Sequence, residues 1–348
     1  MNGKKRVPIG QVAQEAGVSI QTVSRVTNNH PDVAAATRKR VLEVVERLGY
    51  QPSRIARAMR GHSRAIGVVG YGLEYFGPSR TISGLELRIS ELGFTLILSL
   101  VRDAEIINAE QILNEMLSRH IDGIIWTIPD IGDNMRQLAD SLSTLEVPII
   151  FTDCEHFPKA FIVENDNVAG GEMAVNHLVS QGYQTIGLIT GPLHWRSARL
   201  RQKAWFDTLK SKGLPNDPSL VVEGDWTAAG GARGLQSLLE QRPDLDAVFA
   251  SNDQMALGAI QTLRKKGLRV PEDLAIIGYD DIPEASFFCP PLSSIRQPMY
   301  EIGRLAVDEL VKLIEATRDE KEVEPRAITI QPELVVREST AARHPAKR

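Results

Sequence analysis

The apolar positions from Ile9 onward recur at helical intervals. Ile9, Val12, Ala13 and Ala16 mark one face of a first helix. Gly17-Val18-Ser19 then interrupts the run, because the glycine tolerates positive φ and the serine can cap whatever follows. In the next helix Val23 and Val26 are expected to face inward, leaving Gln21, Thr22, Ser24 and Arg25 on the outer face. A third helix is predicted from about Ala35 to Leu48, with Val41, Leu42, Val44, Val45 and Leu48 as its buried stripe and Gly49 as its stop. Short turn, outward amide, hydroxyl and guanidinium groups: this is helix-turn-helix spacing, suited to major-groove base edges and phosphates.

Beyond Ala65 the period changes. Short apolar runs at 65–69, 95–100, 122–126, 147–151, 185–190, 246–251 and 274–279 alternate with helical stretches. That βαβα order predicts parallel, doubly wound sheets, in which ligands bind beyond the carboxyl ends of the strands. Asp153 follows one run, and Arg199 and Arg201 follow another. Asn252 with Asp253 and Asp280 with Asp281 follow two more, and Trp226 adds a flat apolar face. Carboxylates, amides and guanidinium groups beside an indole suit a neutral polyhydroxylated ligand. Asp253 and Asp281 are read as braces for helices, and Arg199 as an external ion-pair partner. The glycines of AAGGARG (228–234) are not a phosphate loop, since no GK[ST] follows; they should let a helix pack closely.

Charge sharpens the first part of the picture. Residues 1–64 hold 12 Lys and Arg against 4 acids, a balance of +8, whereas the whole chain carries −4. The remaining 284 residues therefore carry −12. A small basic module on an acidic body is a polyanion-binding footprint. Composition is otherwise ordinary for a globular protein, at 43% apolar and 24% charged over 348 residues. No charged start leads into an apolar run and no long uninterrupted apolar stretch occurs, so a cytoplasmic protein without a membrane span is expected. Cys154 and Cys289 are isolated and read as reduced thiols. No HExxH or CxxC spacing appears, and no cofactor or metal is expected. An enzyme, for instance a glycoside hydrolase using Asp253 and Asp280, lacks any nucleophile-base arrangement to support it.

The segments VAQEAGVS, TVSRVTN, TRKRVLEVVERLGYQPSRIARAM and IGVV resemble, in that order and spacing, the N-terminus of the lactose-repressor (LacI/GalR) family. SARLR, EGDW, ASNDQMALGA, GLRVPEDLAIIGYDD and CPPLSSIRQP extend the resemblance essentially to Val336. The fold implied is an all-α helix-turn-helix headpiece with a hinge helix, followed by a periplasmic-binding-protein-like α/β core of two doubly wound parallel-sheet subdomains. The boundaries expected are 1–50 for the headpiece, 51–62 for the hinge helix and 63–340 for the effector-binding core. Within the core, one subdomain takes about 63–163 and 298–325 and the other about 164–297 and 326–340, with a frayed tail at 341–348.

The resemblance also implies site residues. DNA would be met by Ile20, Gln21, Thr22, Ser24, Arg25, Asn28, Arg57 and Met59. Arg25 is expected to read a guanine, and Met59 aligns with an apolar wedge that opens a base step in the minor groove. Only about nine residues lie between Pro52 and Gly61, and helices below about 12–15 residues are marginal alone, so the hinge should be helical only when something else holds it; the resemblance implies that this is a second copy of itself in the minor groove. A sugar would be held by Asp153, Arg201, Trp226, Asn252, Asp280 and Gln297. Tyr71 and Met299 depart from the family pattern, where a small serine and a phenylalanine are expected; Tyr71 joins the effector set. Ala34 stands where relatives place a capping serine, a loss worth about 0.5–2 kcal/mol unless Asp32 substitutes. The function expected is a sugar-switched transcriptional regulator, a repressor acting on pseudo-palindromic operator DNA. A homodimer is expected, since no apolar heptad follows Val336. A transport-type sugar-binding protein or a non-sugar effector such as a nucleobase are the alternatives.

Overall fold

The computed structural model describes residues 7–27, 32–50, 63–102, 108–131, 138, 142, 145–155, 157–158 and 160–341. The chain divides into two compact units, Met1–Ser63 and Arg64–Arg348. In the first, helices α1 (Ile9–Ala16), α2 (Ile20–Thr27) and α3 (Ala35–Leu48) enclose a core of Val12, Ala13, Ala16, Val23, Val26, Val41, Val44 and Tyr50. Gly17 ends α1 at φ 63°, a left-handed conformation that glycine adopts without a steric penalty. Ser19 Oγ then accepts the backbone N–H of Thr22 at 3.0 Å and so caps α2. No side chain at Ala34 caps α3.

Two expectations for this unit are corrected. Ser24 is buried at 5% exposure, because α2 is wedged between α1 and α3 and hides an arc wider than the Val23–Val26 stripe. Leu42 is 47% exposed, because the face of α3 that packs is Val41, Val44, Val45 and Leu48, at i, i+3, i+4 and i+7, and Leu42 falls outside it.

The second unit holds two sheets. The first runs β11-β5-β4-β3-β1-β2, with β1 (Ala65–Tyr71), β2 (Thr95–Val101), β3 (Gly123–Trp126), β4 (Ile149–Thr152), β5 (Ile162–Asn165) and β11 (Ala327–Ile330) all parallel. The second runs β12-β10-β9-β8-β6-β7, with β6 (Ile186–Thr190), β7 (Val221–Glu223), β8 (Ala247–Ala250), β9 (Ala275–Asp280) and β10 (Ser293–Arg296) parallel. Only β12 (Glu333–Val335) joins it antiparallel. Helices connect the strands: α4 (Phe76–Glu91), α5 (Ala109–Ser118), α6 (Asn167–Ser180), α7 (Arg196–Lys212), α8 (Ala228–Gln241), α9 (Asp253–Lys265) and α10 (Met299–Arg318). The expected assignment of 326–340 to the second subdomain needs correction. Ala327–Ile330 pairs with β5 of the first sheet, and only the few residues from Glu333 return to the second. Among the described residues no helix is long and apolar enough to cross a membrane.

The glycines of 228–234 do serve close packing. A Cβ on Gly231 would stand 2.1 Å from the carbonyl oxygen of Met255, and one on Gly258 would stand 1.8 Å from that of Ala228. Helices α8 and α9 thus meet backbone to backbone. Gly258→Ala is expected to lower core stability by about 1–3 kcal/mol, since a rigid backbone cannot give way. Urea unfolding of the variant reads this directly; an unchanged midpoint would contradict the packing.

Candidate functional site

The headpiece presents Gln21 and Arg25 outward on α2, with Ile20 54% exposed beside them and Thr22 half-buried. The Thr22 hydroxyl lies 2.9 Å from Ser19 Oγ, so it also steadies the turn. Ser24, buried at 5% exposure, does not stand on the outer face with Gln21 and Arg25. Asn28, Arg57 and Met59 lie outside the described residues.

In the second unit a cavity of about 420 Å³ opens at the carboxyl ends of the strands of both sheets. That is within the usual range for small-molecule sites. Six of the seven expected effector residues line it: Asp153, Arg201, Trp226, Asn252, Asp280 and Gln297. Tyr71 does not. Its ring packs behind the wall, 6.0 Å from Trp195 and 6.5 Å from Tyr75, because the end of β1 points it at those rings. Met299 lines the cavity.

Arg201 organises the floor. The side chain sits on the buried face of α7 at 4% exposure. Nε donates to Asn167 Oδ1 at 2.9 Å, Nη1 to the Ser251 carbonyl at 2.6 Å and Nη2 to Gln297 Oε1 at 3.2 Å. The guanidinium also stacks over Tyr279, 3.7 Å from the ring centre, and stands 5.7 Å from that of Trp226. Gln297 in turn donates through Nε2 to Asp280 Oδ1 and accepts from Asn165 Nδ2 at 3.0 Å. A fixed chain of polar groups therefore runs from α7 to the end of β9.

Backbone strain collects here too. Asp153, Trp226 and Asp280 take φ of 53°, 66° and 114°, conformations that non-glycine residues hold only where surroundings enforce them. Gly191 makes room for the indole of Trp226, which lies so close that a Cβ would meet it at 2.0 Å. Asn252 is committed twice: Oδ1 caps α9 at Met255 N, 2.9 Å, and Nδ2 holds the Trp226 carbonyl, 2.9 Å. It positions the wall as well as lining it.

Burial pushes the Asp280 carboxyl up to about 6, against the opposing pull of Arg201 and Gln297. Burial likewise raises Asp153, with Arg196 pulling the other way. A raised acid pKa means that the folded chain takes up a proton between about pH 4 and 6. That contribution to stability is therefore present at low pH and lost as pH rises through 6. Hydroxyl donors from a ligand favour the ionised form. Effector affinity is accordingly expected to rise between pH 5 and 7, with its inflection near 6. Calorimetric titration checks this; a flat profile would remove Asp280 from the contact set.

Asp253 braces the start of α9 as expected, whereas Asp281 ties the end of β9 to Arg296 and Arg337 rather than to a helix. Asp253 accepts from Ser294 Oγ at 2.6 Å and from Ile282 N at 2.8 Å, and Asp281 pairs with Arg296 at 2.8 Å. Arg199 forms its bonds to the carbonyls of Leu193 and His194 rather than to an acid. Several lining residues have no counterpart in the sequence reading: Tyr75, Phe76, Glu164, Asn165, Trp195 and Gln254. Glu164 and Asn165 end β5, so the same search beyond each strand would have found them had IVEN been read as a strand. Asn165 Oδ1, Gln254 Oε1 and Trp226 Nε1 are buried with no hydrogen-bond partner among the described residues.

Residues 9–53 match the family model "Bacterial regulatory proteins, lacI family", and residues 175–340 match "Periplasmic binding protein-like domain". The chain is 34% identical over 310 residues to the lactose operon repressor of Escherichia coli (strain K12), covering 89% of this chain and 85% of that one. A crystal structure of the lac repressor dimer bound to operator and the anti-inducer ONPF superposes with a TM-score of 0.85 at 32% identity, over 97% of this chain and 100% of that one. The transcriptional repressor PurR of Haemophilus influenzae (strain PittEE) is 35% identical over 335 residues, 95% of this chain and 98% of its own. The structure of a CelR–cellobiose complex matches with a TM-score of 0.71 at 31% identity, over 96% and 100% of the two chains. A helix-turn-helix unit joined to a two-sheet binding core, alike over nearly its full length to these repressors, makes the chain a member of the lacI family of bacterial DNA-binding transcription regulators.

Proposed function

We propose that this protein is a transcriptional repressor whose operator affinity is switched by a neutral saccharide held in the core cavity. The observation that carries the reading is the Arg201–Gln297–Asp280 chain set beside the face of Trp226. A sugar needs paired donors and acceptors around its hydroxyls and an apolar face for its C–H groups, and both are present. The buried acceptors Asn165 Oδ1 and Gln254 Oε1 add places for two more hydroxyl donors. The cavity draws Asp153, Glu164 and Asn165 from the first sheet and Trp226, Asn252 and Asp280 from the second. A bound sugar would therefore favour one arrangement of the two lobes, which is the differential affinity any switch requires.

On the DNA side, Gln21 and Arg25, with Ile20, would meet base edges, and Thr22 a phosphate. Two chains on a two-fold axis would match a pseudo-palindromic operator. Arg57 and Met59, in the segment that joins headpiece to core, are proposed to carry the signal into the minor groove.

A thermal-shift screen of the full-length protein against mono- and disaccharides, with hypoxanthine and guanine alongside, tests the effector class. A saccharide at 100 times its dissociation constant should stabilise the core by about 2.7 kcal/mol. A shift with a purine base and none with any saccharide would favour the second reading. That reading is supported by the flat faces of Phe76 and Trp226 in one cavity and by the likeness to PurR.

A further inference from the structure

Arg196 opens α7 and reaches across the cleft to the other lobe. Its Nη1 donates to Asp153 Oδ1 at 3.2 Å and to Glu164 Oε2 at 3.0 Å, and its backbone N–H donates to the Asp130 carbonyl at 3.1 Å. The neighbouring Trp195 forms an antiparallel bridge with Ile131, and its ring lies 5.3 Å from that of Tyr75 and 5.9 Å from that of Trp226. The ion pairs are sheltered, with the Arg196 side chain 15% exposed and that of Glu164 7%. Neither residue belongs to the set implied by the family pattern.

One guanidinium thus serves two carboxylates. The cavity wall carries Glu74, Asp153, Glu164 and Asp280 against Arg201, with Arg196 bound behind Asp153 and Glu164. Carboxylates exceed guanidinium groups by two with Arg196 in place and by three without it. The wall also carries the rings of Tyr75, Phe76, Trp195 and Trp226, whose faces attract cations. Acidic groups beside aromatic faces make a good site for an ammonium group unless a resident cation occupies them. A phosphate or sugar acid meets an excess of negative charge in either case.

We propose that Arg196 is a specificity residue that makes the pocket select uncharged saccharides, and that its removal turns the pocket toward amino sugars. This rests on the saccharide reading above. Arg196 neutralises Asp153 and Glu164 on one side, and Thr329 Oγ1 donates to Glu164 Oε1 at 3.5 Å, so these carboxylates suit neutral hydroxyl donors rather than a second cation. Without it, the same carboxylates are best satisfied by a protonated amine, because a charge pair in a sheltered cleft is far stronger than in water.

The test uses the full-length protein. Thermal shift with glucose, galactose and cellobiose, each beside its 2-amino-2-deoxy analogue and glucose beside glucose 6-phosphate, selects the responding pair. Calorimetry then gives both dissociation constants for the parent, Arg196→Met, Arg196→Lys and Glu164→Gln. The parent should prefer the neutral sugar. Arg196→Met should move the ratio toward the amino sugar by about tenfold or more, and Glu164→Gln should move it the other way. Arg196→Lys, which keeps the charge, should hold the parental ratio. If Arg196→Met does not fold, Glu164→Gln, with its opposite sign, carries the test. A ratio unchanged in the variants, or a parent that prefers the amine, overturns the proposal while leaving the saccharide reading intact. If no saccharide binds the parent, that reading falls and this inference falls with it.

Discussion

Replacing Arg201 by Met is expected to abolish effector binding, with a loss of affinity of at least about a hundredfold, and to weaken the core by about 2–5 kcal/mol. The two effects share one cause. Arg201 is buried and donates to Asn167, Ser251 and Gln297 at once. Its removal takes the donor from buried Asn167 Oδ1 and from the Ser251 carbonyl, and leaves Gln297, which holds Asp280, fixed through Asn165 Nδ2 alone. Lysine should recover little, because a single ammonium cannot reproduce the planar fork that spans Asn167, Ser251 and Gln297. Calorimetry below the melting range of Arg201→Lys measures the first effect, and urea unfolding measures the second. A lysine variant that bound the effector as the parent does would show that the polar chain is structural only.

The second large effect is on DNA. Arg25→Ala should weaken operator binding by about 1–3 kcal/mol for each guanine contact, and a dimer makes two such contacts. Arg25 is exposed on α2, so the headpiece should fold as before. The discriminating readout is the ratio of operator to random-sequence affinity. Loss of that ratio marks a base contact, whereas equal weakening on both DNAs would reduce Arg25 to a phosphate contact.

Much of this architecture was legible before any coordinates. The apolar periods gave the three headpiece helices, and the seven apolar strand runs of the core all appear where the pattern put them. The strands that escaped notice, β5, β7, β10, β11 and β12, have three or four residues each and carry charged or polar side chains. β3, β4 and β8 are no longer, but their runs are almost wholly apolar and stand out. The polar end of IVEN hid Glu164 and Asn165. Ser24 and Leu42 were misplaced for a related reason, since a periodic pattern predicts the centre of a buried face but not its width, which depends on how many neighbours wedge the helix. Tyr71 is a different kind of error. It aligned with a pocket position, but nothing local to it could reveal that Trp195 and Tyr75 would stand in front. Arg196 belongs to the same class: its meaning comes from two carboxylates 32 and 43 residues earlier in the chain.

The claim that binds these parts together is that one equilibrium joins cavity and headpiece. Its most direct test is a thermodynamic cycle, using an operator recovered by selection from random DNA and the saccharide that shifts the melting temperature most. Fluorescence anisotropy gives operator affinity with and without saturating saccharide, and calorimetry gives saccharide affinity with and without operator. Coupling of this kind is typically about 1–3 kcal/mol and must be reciprocal. The account predicts that saccharide weakens operator binding, that operator weakens saccharide binding by the same factor, and that Asp280→Ala loses the response while keeping operator affinity. Operator affinity that stays fixed as the cavity fills would contradict it.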